Sequence, residues 1–412
     1  MIRAVTLGVP LAPISINETE QKLLLFTQTA EQVFKNNHVF CRTQRMSLTP
    51  VREDAFADLQ KLPARIASIA RLAEKSGLRW FCLPVDLLAC QNPEALLQTV
   101  LEIMMREPRA FINLMVGNEH QISVEGATHA AQFILNVAKK SNNGFDNFRV
   151  GASAACPANA PFFPFSRHEG NDLGFSLALE TADMALVLSE EVKAKRLSLQ
   201  AFRDSLIASL VKQLSTAAQL AQEIAEKTKI AYKGLDAALA PFPDGKTSIG
   251  LLLDNLGAPI GSAGTLFVTS LLTDAIRQAI KESGVIATGF NGVMYSVLED
   301  DYLARANNQR KLSIQALNAY STLCACGLDM LPIAGTSFPE DIAATILDTA
   351  ALAINLKKPL GVRLLPIPGK ALNELTAFNL DFLCDSRIME LEAGSANLSL
   401  ENTPWQYLAP RL

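Results

Sequence analysis

The sequence predicts an α/β protein built on a mostly parallel sheet that closes as a barrel. The first observation is alternation: short apolar runs rich in β-formers or small residues end in Pro- or Gly-bearing loops and are followed by amphipathic helical stretches along the whole chain. The second is number, because about nine such units favour closure over an open doubly wound sheet. The third is bulk: 49% apolar and 19% charged side chains over 412 residues supply a large shared core. At roughly 150 residues per domain the length allows two or three domains, but no low-complexity linker divides the sequence. One barrel domain over residues 1–412 is therefore expected.

The N-terminal stretch MIRAVTLGVPLAPISIN lacks a basic n-region and an A-x-A site, and Pro10 and Pro13 interrupt it, so residues 3–8 read as a first strand and not a signal peptide. Asn17, three residues before Glu20, forms a capping pair that opens the first helix. Further strands are expected at 79–85, 110–116, 147–155, 174–180, 231–239, 285–296, 323–333 and 361–367. The segment KKSNNGF at 140–146 reads as a surface loop before a strand. Between about 198 and 229, Leu206, Leu210, Leu214, Leu220 and Ile224 repeat at helical spacing. Ser337 and Glu340 frame Pro339 as the start of another helix. The Gly-rich GAPIGSAGT at 257–265 is neither a dinucleotide nor a Walker motif and reads as a tight loop.

Charge and cysteine usage exclude several classes. A net charge of −4 with no basic run leaves no electrostatic footprint for nucleic acid or for an anionic membrane. No stretch approaches the ~18 uninterrupted apolar residues of a membrane span. Seven cysteines at irregular spacing read as reduced thiols in a cytoplasm.

Strand alternation then separates large apolar sets, suited to packing under helices, from sets of small residues that include Arg149, Glu180, Asp236 and Arg363. These four charges are expected to face a polar, partly open barrel interior, as an ion-pair lattice or as a site. In PFFPFSRHEG, His168 beside Arg167 and Glu169 is a candidate acid or base. Glu299, Asp300 and Asp301 offer oxygen ligands to a hard cation, with a solvated acidic turn as the alternative. Cys324 and Cys326 share one face of a strand, where core thiols are the default reading. Asp329 falls on the opposite face if that strand is regular, so a unit of Cys326 with Asp329 requires a bulge. There is no G-x-S-x-G elbow and no H-E-x-x-H pair.

Several blocks carry a family resemblance. GLRWFCLPVD, NFRVGASAACPANAPFFPFSRHEGNDLGFSLALETADMAL, KGLDAALAPFPDG, GSAGTLFVTSLLTDAI, GFNGVMYSVLEDD and CGLDMLPIAGTSFPEDIAATILDTAALAIN with VRLLPIPGK resemble, in order, the uncharacterised PFL family, domain of unknown function 711. That resemblance implies the ten-stranded β/α barrel of pyruvate formate-lyase and class III ribonucleotide reductase. It implies no particular reaction. Glycyl radical enzymes of that fold need a finger-loop cysteine and a C-terminal glycine in an R-V-x-G-Y-like context. Cys324 or Cys326 would serve as the thiol, but ENTPWQYLAPRL holds no glycine and Gly369 in RLLPIPGK departs from the pattern.

The functional expectation is polar, non-radical chemistry on a small anionic metabolite. Arg149 and Arg363, with Asp329 and Cys326, would bind it; Glu180, Asp236 and His168 would act as acid and base; Glu299 and Asp300 would close the entrance or hold a metal. The sequence names no cofactor. A non-catalytic ligand sensor on the same fold is the alternative, with a radical enzyme third. A homodimer or higher homo-oligomer is expected at 44.6 kDa.

Overall fold

The computed structural model describes residues 1–11, 16–52, 59–88, 90–391 and 406–408. Its strands are β1 (Ile2–Val9), β2 (Cys41–Leu48), β3 (Trp80–Asp86), β4 (Ala110–Gly117), β5 (Gln121–Ser123), β6 (Val150–Ala154), β7 (Gly174–Leu179), β8 (Ala231–Asp236), β9 (Gly327–Ala334), β10 (Leu360–Ile367) and β11 (Gln406–Leu408). The helices are α1 (Ile16–Asn36), α2 (Leu62–Lys75), α3 (Pro93–Arg106), α4 (Val124–Lys140), α5 (Ala182–Lys195), α6 (Leu199–Thr228), α7 (Ile249–Asn255), α8 (Thr265–Ser283), α9 (Asp301–Asn308), α10 (Ile314–Tyr320) and α11 (Pro339–Asn355). This is a mixed α/β protein with one large, mostly parallel sheet.

The sheet runs in the order β8-β7-β1-β2-β3-β4-β6-β10-β9, with β5 and β11 off the path. β1, β2, β3, β4 and β6 are mutually parallel, as are β7 with β8 and β10 with β9. Antiparallel seams join these blocks at β1/β7 and β6/β10. The two ends of the path, β8 and β9, do not pair with each other. Between them lies the 287–296 segment, touching β8 and its extension through isolated bridges at Leu235/Ala287 and Leu239/Val293, and β9 at Ser296/Asp329. It was expected to be a regular strand and is not one.

One face of each strand packs under helices. Val5, Leu7, Met46, Leu48, Phe81, Leu83, Ile112, Leu114, Phe175, Leu177 and Leu364 join helix residues such as Phe26, Leu101, Ile134, Phe202 and Leu210 in one continuous apolar cluster. The helices start where local chemistry directs. Ser198 accepts from the Ala201 N–H at 3.1 Å to open α6, and Ser248 does the same for Leu251 at 3.0 Å to open α7. Asn17, expected to open the first helix, lies inside α1, which begins at Ile16, and Ser337 donates to the Ala334 carbonyl while Phe338 occupies the cap of α11.

The opposite face is concave and filled, where an open polar interior was expected. The segment from Cys156 to His168 runs along it and is gripped strand by strand. Thr6 of β1 donates to the Pro161 carbonyl at 3.0 Å, Ser47 of β2 pairs with Ser166 at 2.9 Å, Cys82 of β3 meets the Pro164 carbonyl at 3.1 Å, and Asn113 of β4 donates to the Ser166 carbonyl at 3.3 Å. Gly151 and Gly361 complete the fit, because a Cβ at either would collide with the ring of Phe165. The small residues of these strands therefore make room for chain and not for solvent. The Gly361→Ala variant is expected to lose about 1–3 kcal/mol of stability through overpacking, measured by urea unfolding, with a larger loss for Gly361→Val.

Candidate functional site

Beside the middle of the threaded segment, at Phe162, Phe163 and Phe165, a cavity of about 70 Å³ remains. Its polar lining is Arg3, Arg45, Arg363, Glu299, Asp329, Ser296 and Cys326. Aromatic walls come from Trp80, Phe111, Phe148, Phe163 and Phe165.

Each polar group is placed by an identifiable local cause. The β1/β7 register shifts between Ile2 and Ala4, leaving Arg3 as the extra residue of a bulge that re-aims its side chain inward. Arg45 follows Thr43 and precedes Ser47 on the concave face of β2, and its neighbour in register is Trp80 of β3. Arg363 lies on the corresponding face of β10. On β9 the register with β10 shifts between residues 328 and 331, where Met330 takes φ 54°. Gly327, at φ 84°, precedes that irregularity, and together the two kinks let Cys326 and Asp329 line one cavity. This is the bulge that a Cys326–Asp329 unit requires.

The charges divide into two groups. Arg363 is fully engaged: its Nε and Nη2 donate to Asp329 at 2.7 and 2.9 Å, Nη2 also reaches Glu299 at 3.1 Å, and Nη1 donates to the Phe148 carbonyl at 3.3 Å. Burial alone would lower the Arg363 pKa, but Asp329 and Glu299 raise it. Burial pushes Asp329 up, with Arg363 pulling against it. Ser296 fixes Glu299 at 2.6 Å.

Arg3 and Arg45 form no ion pair with the described residues, although each is only 9% exposed. Arg45 donates from Nε to Thr43 Oγ1 at 2.8 Å, and its guanidinium lies 5.1 Å from the Phe163 ring centroid and 5.4 Å from that of Trp80. Burial, then the neighbouring Arg3, lowers its pKa to about 9 against the opposing pull of Glu299, so it stays charged at neutral pH. Arg3 reaches the Ala240 carbonyl at 3.5 Å and the Phe162 ring at 5.9 Å. Two buried, unpaired cations on one cavity are costly unless an anion joins them.

Of the nine residues expected at a site, Arg363, Asp329, Cys326 and Glu299 come together here. The other five lie elsewhere, each with its own partners. Arg149 ends a 3-10 helix (Asn142–Arg149) that occupies the expected loop and the start of the expected strand, and it donates to the carbonyls of Met104, Glu107 and Ala110 and to Asp146. Glu180 receives Arg42 in a bidentate pair at 2.6 and 3.0 Å. His168 has Asn159 at 3.0 Å on Nδ1 and the Asp172 carbonyl at 2.9 Å on Nε2, and burial lowers its pKa. Asp300 accepts from Ser248 and from the N–H groups of Ile249, Gly250, Tyr302 and Leu303, joining the starts of α7 and α9. It turns away from Glu299, and no cluster of three metal-ligating side chains occurs among the described residues. Asp236 accepts from the N–H groups of Ala238, Phe290 and Asn291 and so ties the 287–296 segment to β8. Cys324 lies outside the cavity lining; its thiol is lowered by a hydrogen bond from Cys326, which is raised in turn.

Arg3 and Arg45 were missed for different reasons. CRTQRMSL is too polar to read as a buried strand, and a bulge has no signature in alternation. The available signal was three arginines at positions 3, 42 and 45 beside otherwise apolar elements.

Fold and site together define a mixed α/β protein with an arginine-rich cavity on the concave face of its sheet. The chain belongs to the family described as Uncharacterised ACR (DUF711), which matches residues 1–381. It is 25% identical over 390 residues to a UPF0210 protein of Pyrobaculum arsenaticum, covering 89% of this chain and 85% of that one. A UPF0210 protein of Pyrobaculum islandicum is 27% identical over 398 residues, again covering 89% and 85%. One from Syntrophobacter fumaroxidans is 33% identical over 160 residues, covering 39% and 35%. Among the described residues no helix is long and apolar enough to cross a membrane.

Two outcomes follow from these contacts. Burial raises the Asp236 pKa from 3.8 to about 6. The folded state then holds this proton more tightly than the unfolded chain, so its contribution to stability is full below about pH 4 and lost as pH rises through 6. Relative to Asp236→Asn, the wild type is expected to lose about 2–3 kcal/mol between pH 4 and 7, read from denaturant titrations at each pH. Removing one partner of the buried pair, as in Asp329→Ala, is expected to cost about 3–5 kcal/mol. The triple variant Asp329→Leu/Arg363→Met/Glu299→Gln, which also removes the second carboxylate on Arg363, should recover most of it, measured by the same titrations.

Proposed function

We propose that this chain binds a small anionic metabolite in the cavity, with Arg3 and Arg45 as its counter-charges, and acts on it by polar, non-radical chemistry. The observation that carries this reading is a pair of nine-tenths-buried guanidinium groups, unpaired among the described residues, on one cavity. Stacked guanidinium groups use their faces on rings and keep in-plane N–H donors for an oxyanion. Asp329 and Glu299 stand on the same cavity as acid–base groups, and Arg363 orients them. Cys326 offers a thiol whose raised pKa suits it to packing against the ligand and not to attack.

A sensor that binds without turnover is the second reading. It is favoured by the engagement of both carboxylates with Arg363, which leaves neither free to move a proton unless ligand displaces the pair. As part of the same proposal, we read the 287–296 segment as the tenth stave of a ring of the pyruvate formate-lyase and class III ribonucleotide reductase type. The bridges on both sides of this segment and the two antiparallel seams support that reading.

The test is thermal unfolding with and without phosphate, sulfate and short carboxylates. At 100 times its Kd, a bound anion adds about 2.7 kcal/mol. Arg45→Met is expected to melt higher than wild type without anion, because it removes an unpaired buried charge, and to lose the anion-induced rise. An unaltered rise in Arg45→Met, or no rise with any anion in the wild type, contradicts the proposal.

A further inference from the structure

We propose that small anions reach this cavity past Trp80, drawn in by Arg79, and not over the loop that carries Phe242. The inference rests on the anion-site reading above. Two chains of stacked groups connect the buried arginines to the surface. In the first, exposed Arg79 lies 4.1 Å from the Trp80 ring centroid and buried Arg45 lies 5.4 Å from the same ring. In the second, Arg42 lies 4.3 Å from the Phe242 ring centroid and buried Arg3 lies 6.0 Å from it.

The two chains differ in charge and in whether the aromatic ring itself reaches the cavity. Arg42 is neutralised by its bidentate pair with Glu180, whereas Arg79 forms no ion pair among the described residues. Trp80 is half-buried and lines the cavity itself, so one ring spans surface and site. Phe242 is half-buried too, but its ring does not line the cavity, to which its loop contributes only Ala240 and Pro241. Its loop is fastened shut: the Phe242 N–H donates to Thr247 Oγ1 at 3.0 Å, Thr247 donates to Asp244 at 3.0 Å, and Arg3 reaches the Ala240 carbonyl at the loop's base. An uncompensated surface cation that leads to a buried one sets up a potential falling inward for anions. Arg79 also contributes to the lowering of the Arg45 pKa, which shows that the two charges feel each other.

Trp80 makes the route observable, since the chain has two tryptophans. In a Trp405→Phe background, fluorescence quenching of Trp80 is measured with iodide, caesium and acrylamide at constant ionic strength. Iodide is expected to quench several-fold more efficiently than caesium. Arg79→Glu should lower the iodide constant by about threefold or more at low salt, leave acrylamide unchanged and lose its effect at high salt. Arg45→Met should also lower it, because iodide that enters meets the buried cation. Lys246→Glu, on the loop of Phe242, should leave it unchanged.

The inference is overturned if Arg79→Glu does not alter iodide quenching, if Lys246→Glu alters it equally, or if Arg45→Met has no effect, which would confine iodide to the outer surface. Any of these with an intact, Arg45-dependent thermal shift removes the route and leaves the site. Loss of the thermal shift as well removes both.

Discussion

The structure depends on a sheet that curls around its own chain. Strands with small residues on the concave face allow the segment from Cys156 to His168 to lie against β1, β2, β3, β4, β6 and β10 at once. Close packing of that kind tolerates no free space along most of its length. Along this segment, space is left beside its central Phe162, Phe163 and Phe165, where the strands present Arg3, Arg45 and Arg363 in place of glycine, serine and alanine. The cavity is thus the unfilled remainder of a packing solution, and its charge is set by which strand positions there are not small.

Electrostatics explains why the remainder takes this form. Arg363 could be buried because Asp329 and Glu299 supply counter-charge and the Phe148 carbonyl another acceptor. Arg3 and Arg45 have only rings and neutral oxygens as direct partners, with Glu299 supporting the Arg45 charge across the cavity without pairing with it. Cation–π contacts of about 0.5–2 kcal/mol each offset a fraction of the desolvation of a guanidinium. A protein that keeps two such groups unpaired carries a standing cost that bound anion would remove.

Much of the architecture was legible from alternation of apolar runs, and the positions of β1, β3, β4, β7 and β10 follow it within a residue or so. Alternation also singled out the small inner faces and Arg363. It failed where geometry departs from a regular strand. Arg149 was carried inward by extending β6 three residues too far, into a 3-10 helix. Arg3 is turned by a bulge, and β2 with Arg45 was passed over because buried polar residues mask a strand. Glu180 and Asp236 are buried as expected, and Asp300, expected at the entrance or in a solvated turn, is buried as well; their partners are Arg42, 138 residues away in sequence from Glu180, or backbone N–H groups. Backbone donors have no residue signature, so capping carboxylates and ligand-binding ones look alike in a sequence.

The most direct measurement is a crystal structure of the protein soaked in bromide, with the anomalous signal used to locate the ion. The account predicts a bromide site within hydrogen-bonding distance of the Arg3 and Arg45 guanidinium groups, inside the cavity walled by Trp80 and Phe163. Bromide bound only at exposed side chains, with water alone between Arg3 and Arg45, would contradict it.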